Sequence, residues 1–96
     1  IEVNDFSLSQ NYPNPFNPST SIRFELAERS YVQLKIFDLL GSEIATLVDE
    51  ERSEGIYNEL FIATELPSGV YMYSINVQSA EGNNVFRENK KMMLLR

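Results

Sequence analysis

The chain has 96 residues, a net charge of −6, and neither cysteine nor histidine. This length fits one domain with a core of limited size. Without cysteine there are no disulfides and no thiolate nucleophile, and without histidine the commonest general base and metal ligand is missing. No apolar run approaches the roughly 18 residues that a membrane-spanning helix needs, so we expect no membrane insertion.

The charge is distributed unevenly along the chain. Residues 85–96 hold four basic residues and one acidic residue, a net charge of +3, whereas residues 1–84 hold four basic and 13 acidic residues, a net charge of −9. An acidic body argues against nucleic acid as a partner, because phosphates need a positive surface. The basic end has two interpretations: a solvated strand edge, where lysines discourage pairing between sheets, or a handle that a receptor recognises.

The first residues predict a linker and then a domain. Because the chain begins at Ile1 and not at Met, we expect a segment of a longer protein. Residues 1–5 are predicted to be linker, and residues 6–96 to form the domain. Phe6–Gln10 alternates between apolar and polar side chains, which predicts a short edge strand.

Three of the four prolines lie close together in the next stretch, at Pro13, Pro15 and Pro18. Each fixes its φ angle, removes a backbone donor and biases the residue before it towards extended geometry. Helix is therefore excluded, and a central strand is disfavoured. We predict a stiff segment at the rim of the domain, with Tyr12 and Phe16 as its apolar contacts.

Six longer strands are predicted after the prolines, from alternating apolar and polar residues and from many β-branched and aromatic side chains. Their predicted ranges are Thr20–Leu26, Tyr31–Phe37, Ser42–Val48, Ile56–Ile62, Val70–Gln78 and Val85–Leu95. In Ser42–Val48 the alternation is imperfect, which leaves a short helix as the alternative. Ile56–Ile62 has apolar residues on both faces, so the sequence leaves open which face is buried.

The connections between these strands have the composition of turns. Asp38 and Gly41 predict one turn, because Asp can bond its own backbone and Gly tolerates positive φ; Pro67 and Gly69 predict another. Asp49–Gly55 holds five charged residues and is predicted to be a solvated loop. Together these patterns predict an all-β fold, a sandwich of about seven short antiparallel strands in two sheets.

No group of residues predicts catalysis. The acidic cluster of the charged loop lacks the alternating ligands and central glycine of a calcium site; it comprises Asp49, Glu50, Glu51 and Glu54. A glycosidase would need two carboxylates held together, and nothing marks such a pair. The serines have no histidine partner. We therefore predict no enzymatic activity, no metal and no cofactor.

Aromatic residues alternate along the strand near residue 72 and recur in the strand before it, at Tyr71, Tyr73, Tyr57 and Phe61. Such alternation usually belongs to a core, and core is the favoured interpretation. The alternative is an exposed platform on which sugar rings stack.

Four segments, in order, closely resemble the motifs of the C-terminal sorting domains of the type IX (Por) secretion system. This group is related to the immunoglobulin-like domain of flagellar hook-capping proteins. The segments are Asn11–Thr20, Val32–Gly41, Leu66–Tyr73 and Lys90–Arg96. One departure is at Phe61 and Ile62, where family members often have a Trp-Asp step; this puts a local turn contact in doubt. The resemblance covers residues 6–96 and implies an immunoglobulin-like β-sandwich.

The resemblance implies a non-catalytic address on a larger cargo protein of a Bacteroidetes-like bacterium. The cargo would pass through the periplasm and then reach the extracellular space or the outer cell surface. Its partners would be the outer-membrane secretion machinery and a sortase-like surface protease, which in the family commonly removes the domain. The implied recognition residues are Tyr12, Pro13, Asn14, Pro15, Phe16, Asn17 and Pro18 in the proline segment, and Lys90, Lys91 and Arg96 at the end of the chain.

Two other functions stay open on sequence alone. One is an accessory carbohydrate-binding or spacer module of a secreted hydrolase, for which the aromatic residues would form the site. The other is a scaffold for assembly like the hook-capping domain, which requires a flagellar context.

Overall fold

A computed structural model describes residues 4–96. Seven strands form two sheets, one in the order β1-β2-β5 and the other in the order β4-β3-β6-β7, with every neighbouring pair antiparallel. The predicted sandwich of seven antiparallel strands is confirmed. Residues 1–3 of the predicted linker lie outside the described residues. The strands are β1 (Ser7–Leu8), β2 (Ser19–Leu26), β3 (Ser30–Phe37), β4 (Glu43–Arg52), β5 (Gly55–Ile62), β6 (Gly69–Gln78) and β7 (Asn84–Leu94).

The core lies between the two sheets. Every second side chain of β2, β3 and β6 points inward and is buried, as the period of two along a strand requires. The last residues of β7 join this core. The most deeply buried side chains are Ile22, Phe24, Leu26, Val32, Leu34, Ile36, Tyr73, Ile75, Val77, Met92 and Leu94. Residues 4–96 contain no helix that could cross a membrane.

The prediction of a loop over Asp49–Gly55 is wrong for most of that range. β4 continues to Arg52 and leaves only Ser53 and Glu54 before β5. The charged stretch stays extended because its backbone pairs with β3, with Asp49 opposite Gln33. Its side chains are exposed at the edge of a sheet, where charge is tolerated. The same ladder excludes the helical alternative for Ser42–Val48.

The structure decides which face of β5 is buried. Tyr57 and Phe61 point inward, and the Tyr57 ring stacks on Phe24 with 5.3 Å between the ring centroids. Leu60 and Ile62 point outward and are 61% and 55% exposed. The sequence could not decide this, because β5 has apolar residues on both faces. In the structure, pairing with β2 places Tyr57 beside Phe24 and so sets the inward face.

Side chains and carbonyl groups close the two predicted turns. The Asp38 carboxylate accepts hydrogen bonds of 2.9 Å from the N–H groups of Leu40 and Ser42. Gly41 has a φ of 87°, in the left-handed region that favours glycine. At the turn before β6, the carbonyl of Pro67 accepts a 2.7 Å hydrogen bond from the Tyr71 hydroxyl.

The proline segment is the tip of a hairpin that joins β1 to β2. Beyond β1 the pairing continues, because Tyr12 and Ser21 exchange two backbone hydrogen bonds of 2.9 Å. The peptide bonds before Pro13, Pro15 and Pro18 are cis. The tip leaves its own sheet and lies against β7 of the other sheet, so it connects the two layers at one end of the sandwich.

Candidate recognition surface

The proline segment acts as a short extra strand beside β7. The N–H of Phe16 donates to the carbonyl of Met93 at 2.9 Å, and the N–H of Leu95 donates to the carbonyl of Phe16 at 3.0 Å. The two segments run parallel at this point. The N-terminal and C-terminal candidate motifs are therefore hydrogen-bonded to each other.

Two side chains extend this contact along the edge of β7. The Asn14 carboxamide oxygen accepts a 2.9 Å hydrogen bond from the N–H of Met93. The Gln10 side-chain amide donates to the carbonyl of Lys91 at 2.7 Å. Outward-pointing backbone groups of β7 thus find partners in the proline hairpin. We call residues 12–18 together with residues 91–95 the composite rim.

Phe16 fixes the composite rim to the core. Its side chain is only 2% exposed, and its ring meets Phe61 edge-on with 6.2 Å between the centroids. Burying an aromatic ring of this size contributes strongly to stability. Phe16 is therefore a structural residue, and a binding partner cannot reach its ring without opening the domain.

A buried hydrogen-bond network holds the base of the proline hairpin. The N–H of Asn11 donates to the Tyr73 hydroxyl oxygen at 2.8 Å, and the Asn11 amide donates to Thr20 Oγ1 at 2.9 Å and to the carbonyl of Pro13 at 3.2 Å. Thr20 Oγ1 donates to the same Pro13 carbonyl at 2.8 Å, and the Tyr73 hydroxyl donates to the carbonyl of Ser9 at 2.7 Å. Burial raises the pKa of Tyr73 to about 12.

The two predicted lysines lie on opposite faces of β7. Lys90 points inward and forms an ion pair of 3.0 Å with Glu88. Lys91 is exposed on the outer face, opposite Met72 of β6. Alternation along the strand separates the two charges, so only Lys91 presents its ammonium group beside the proline segment.

Arg96, which was predicted to be a recognition residue at the end of the chain, lies against the connection between β5 and β6. Its guanidinium group donates to the carbonyls of Leu66 and Ala63, and its N–H donates to Ser68 Oγ at 2.9 Å. These contacts tie the end of the chain to a turn. Arg96 therefore has a structural explanation that does not require a receptor.

The outer surface of the composite rim combines apolar side chains with one positive charge. Tyr12, Met93 and Leu95 are 80%, 40% and 51% exposed. A shallow cavity of about 200 Å³ lies beside Met93 and is lined by Asn14, Val70, Lys91, Met92 and Met93. Within residues 4–96 no cluster of acidic side chains could hold a metal ion. The arrangement suits binding of a polypeptide surface.

Three of the four aromatic residues considered as a sugar platform are internal: Tyr73, Phe61 and Tyr71 are 0%, 5% and 6% exposed. The prediction that they belong to the core is confirmed. Tyr57 is partly buried at the margin of the core, where its ring lies against Phe24 and the Arg52 guanidinium group. A sugar ring cannot stack on the three buried rings, and the Tyr57 ring is already in contact with Phe24 and Arg52.

Asn11 and Thr20 bound the first motif, but sequence reasoning did not name these residues or Gln10 individually, although all three position the rim. A signal was present beside the prolines. Proline carbonyls still accept hydrogen bonds, so a segment rich in proline needs side-chain donors nearby. Asn11 and Thr20, which flank the three prolines in sequence, are such donors.

Comparison with known proteins gives a consistent result. A family model described as "Secretion system C-terminal sorting domain" matches residues 10–91. Among solved structures, the crystal structure of CopC from Methylosinus trichosporium OB3b is similar, with a TM-score of 0.56 and 17% identity. The match covers 94% of this chain and 93% of that chain, and at this identity it shows a shared β-sandwich fold alone. No curated protein matches the sequence.

Proposed function

The chain belongs to the family of secretion system C-terminal sorting domains, and from this premise we propose that its folded composite rim is what the type IX machinery recognises. A sorting signal of this type directs the protein that carries it to the cell surface or the extracellular space. The domain then acts by being bound, and we propose no catalytic role for it.

The hydrogen bonds between Phe16 and the pair Met93 and Leu95 support this proposal. They join two motifs from opposite ends of the chain, and these motifs are adjacent only when the sandwich has folded. A partner that contacts both would distinguish a folded domain from an unfolded one. Recognition would then ensure that cargo is exported only after this domain has folded.

The proposed route and partners follow from the family. The cargo would cross the periplasm attached to this domain, with residues 1–5 as linker and residues 6–96 as the folded signal. The outer-membrane secretion machinery would bind the composite rim through the exposed side chains of Tyr12, Lys91 and Met93. A sortase-like surface protease would later remove the domain from the cargo.

Point substitutions test this proposal better than a truncation. Removing residues 90–96 would also remove Met92 and Leu94 from the core, so lost export would not separate recognition from folding. Lys91→Glu changes an exposed outward charge without touching the core. Arg87→Glu is the matched control, because Arg87 is exposed on the same face of the same strand, outside the composite rim.

The experiment uses a reporter fused upstream of residues 1–96 in a host with a type IX system. We expect Lys91→Glu to reduce surface or extracellular reporter strongly while Arg87→Glu leaves it near the wild-type level. Both variants should unfold at the wild-type urea concentration. Equal export of the two variants would contradict recognition through the composite rim.

A further inference from the structure

Three of the four sheet edges are protected against pairing with another chain, and the fourth is not. β1 is only two residues long, and the outer part of β4 carries the exposed acids Asp49, Glu50 and Glu51. The end of β7 is covered by the proline segment, and the uncovered part of β7 carries the exposed charge of Arg87. Short length, charge and coverage are the usual protections of a sheet edge. Within residues 4–96, β5 lacks all three protections: it is eight residues long, its outward side chains are uncharged, and no described segment pairs with its outer edge.

The hydrogen-bond pattern identifies which groups β5 leaves free. The N–H of Ala63 donates to the carbonyl of Pro18 at 2.8 Å, and these residues continue the β2–β5 register. In an antiparallel pair, hydrogen-bonded residues alternate with residues whose N–H and C=O groups point away. Residues 57, 59 and 61 therefore bond to β2. Residues 56, 58, 60 and 62 direct their backbone groups to the free edge.

The same alternate residues carry exposed, uncharged side chains. Ile56, Leu60 and Ile62 are 37%, 61% and 55% exposed, and Asn58 lies between them. The one charged residue of the strand, Glu59, points inward, where Arg52 Nη1 approaches its carboxylate to 2.8 Å. β5 thus presents four free backbone pairs beside an apolar stripe, and it presents no outward charge.

We propose that β5 pairs with β5 of a second copy of this chain, antiparallel, about a two-fold axis between the two Asn58 residues. Ile56 then lies opposite Leu60 of the second copy, and this apolar pair occurs twice. Asn58 faces Asn58 of the second copy, so their amides can bond to each other. The two sheets become one six-stranded sheet across the dimer.

The chemistry of the strand favours this register over the two in which the axis moves towards Ile62. Moving the axis so that Asn58 faces Leu60 would place the two Glu59 carboxylates directly opposite each other, which is unfavourable. Moving it one step further would place Asn58 against Ile62. With the axis at Asn58, Glu59 faces Tyr57 of the second copy, and no like charges meet. The strand is therefore self-complementary, which favours a second copy over an unrelated partner.

Sedimentation equilibrium of the 96-residue chain over a range of concentrations tests the proposal. We expect a monomer–dimer equilibrium that tightens with added salt, because each copy carries a net charge of −6 and salt screens the repulsion. Leu60→Lys should raise the dissociation constant at least about tenfold, since an edge lysine opposes pairing. Leu40→Lys is the matched control, as Leu40 is 92% exposed at the β3–β4 turn.

Two further substitutions test the register. Asn58→Lys places two lysines on the axis and should prevent the dimer. Ile62→Lys lies outside the three bonded pairs and should preserve it. A wild-type chain that stays monomeric, or a Leu60→Lys variant that dimerises as well as Leu40→Lys, would overturn the proposal. In the monomeric case the edge is available to an extended segment of a different protein. None of these outcomes bears on export through the composite rim.

Discussion

Phe16 and Met93 share a backbone hydrogen bond of 2.9 Å, although they come from opposite ends of the chain and from different layers of the sandwich. The bond makes the tip of the β1–β2 hairpin a partner of β7. Because Leu95 donates to Phe16 as well, the end of the chain is held on one side by the proline segment and on the other by β6. The two segments should therefore lose their structure together.

We predict that Phe16→Ala lowers the free energy of unfolding by about 3–5 kcal/mol, the usual cost of removing a buried aromatic ring. Tyr12→Ala should change it by less than about 0.5 kcal/mol, because the Tyr12 side chain is 80% exposed. Urea unfolding of both variants is the measurement. Similar losses in the two variants would mean that Phe16 does not fix the segment to the core.

The buried network around Asn11 gives a second prediction. Asn11→Ala removes the donor to Thr20 Oγ1 and to the Pro13 carbonyl, and we expect a loss of about 1–3 kcal/mol. In a double-mutant cycle with Thr20→Val, the two substitutions should couple by at least about 0.5 kcal/mol. Asn17→Ala is the control, since Asn17 is exposed in the same segment. Additive effects of Asn11→Ala and Thr20→Val would contradict the network.

The raised pKa of Tyr73 gives a prediction of how the stability of the domain changes with pH in the alkaline range. Burial raises the pKa of its hydroxyl from 10.0 to about 12 in the folded domain. Between these two pH values the folded state keeps a proton that the unfolded state has released, so the contribution of Tyr73 to stability is constant below about pH 10 and is lost as the pH rises from about 10 to about 12. The fall from this one group should be on the order of 2–3 kcal/mol.

Comparison of Tyr73→Phe with the wild type isolates this contribution. The variant should be less stable at pH 7, because Asn11 and Ser9 lose their partner, and it should lose less stability between pH 10 and pH 12. Tyr12→Phe is the control, because it also removes a tyrosine hydroxyl but from a side chain that is 80% exposed. A steep alkaline loss that persists in Tyr73→Phe would refute the assignment.

The fold was largely predictable because most strands have one buried, apolar face and one exposed, polar face. β2, β3 and β6 alternate strictly between apolar and polar residues, and this period alone identifies them. β4 was cut short in the prediction because Asp49, Glu50 and Glu51 look like a solvated loop. The side chains of an edge strand can be exposed to solvent while its backbone pairs with the neighbouring strand. A local sequence pattern does not show which strand that neighbour is.

The recognition surface was predictable only in its parts. The motifs containing Phe16 and Lys91 were selected separately, but their contact depends on long-range pairing between a hairpin tip and the last strand. Local sequence has no signal for such a contact. The roles of Lys90, Lys91 and Arg96 also separated only in three dimensions, since alternation and the β5–β6 turn direct the three charges differently.

The separation of these charges leads to the last prediction, in which stability and export respond to different residues. Arg96→Ala should lower the free energy of unfolding by about 1–2 kcal/mol, because the guanidinium group donates to the carbonyls of Ala63 and Leu66. Arg96→Lys should recover part of this loss at most, since an ammonium group cannot reproduce the planar fork of donors. Lys91→Ala should leave unfolding within about 0.5 kcal/mol of the wild type.

Export of the reporter should show the reverse order. We expect Lys91→Ala to reduce export while its urea midpoint stays at the wild-type value, because the side chain is exposed and belongs to the composite rim. Arg96→Lys should export nearly as well as the wild type wherever the domain remains folded. If export instead followed the stability of each variant, the machinery would be responding to the folded state alone, and the charge at Lys91 would have no part in recognition.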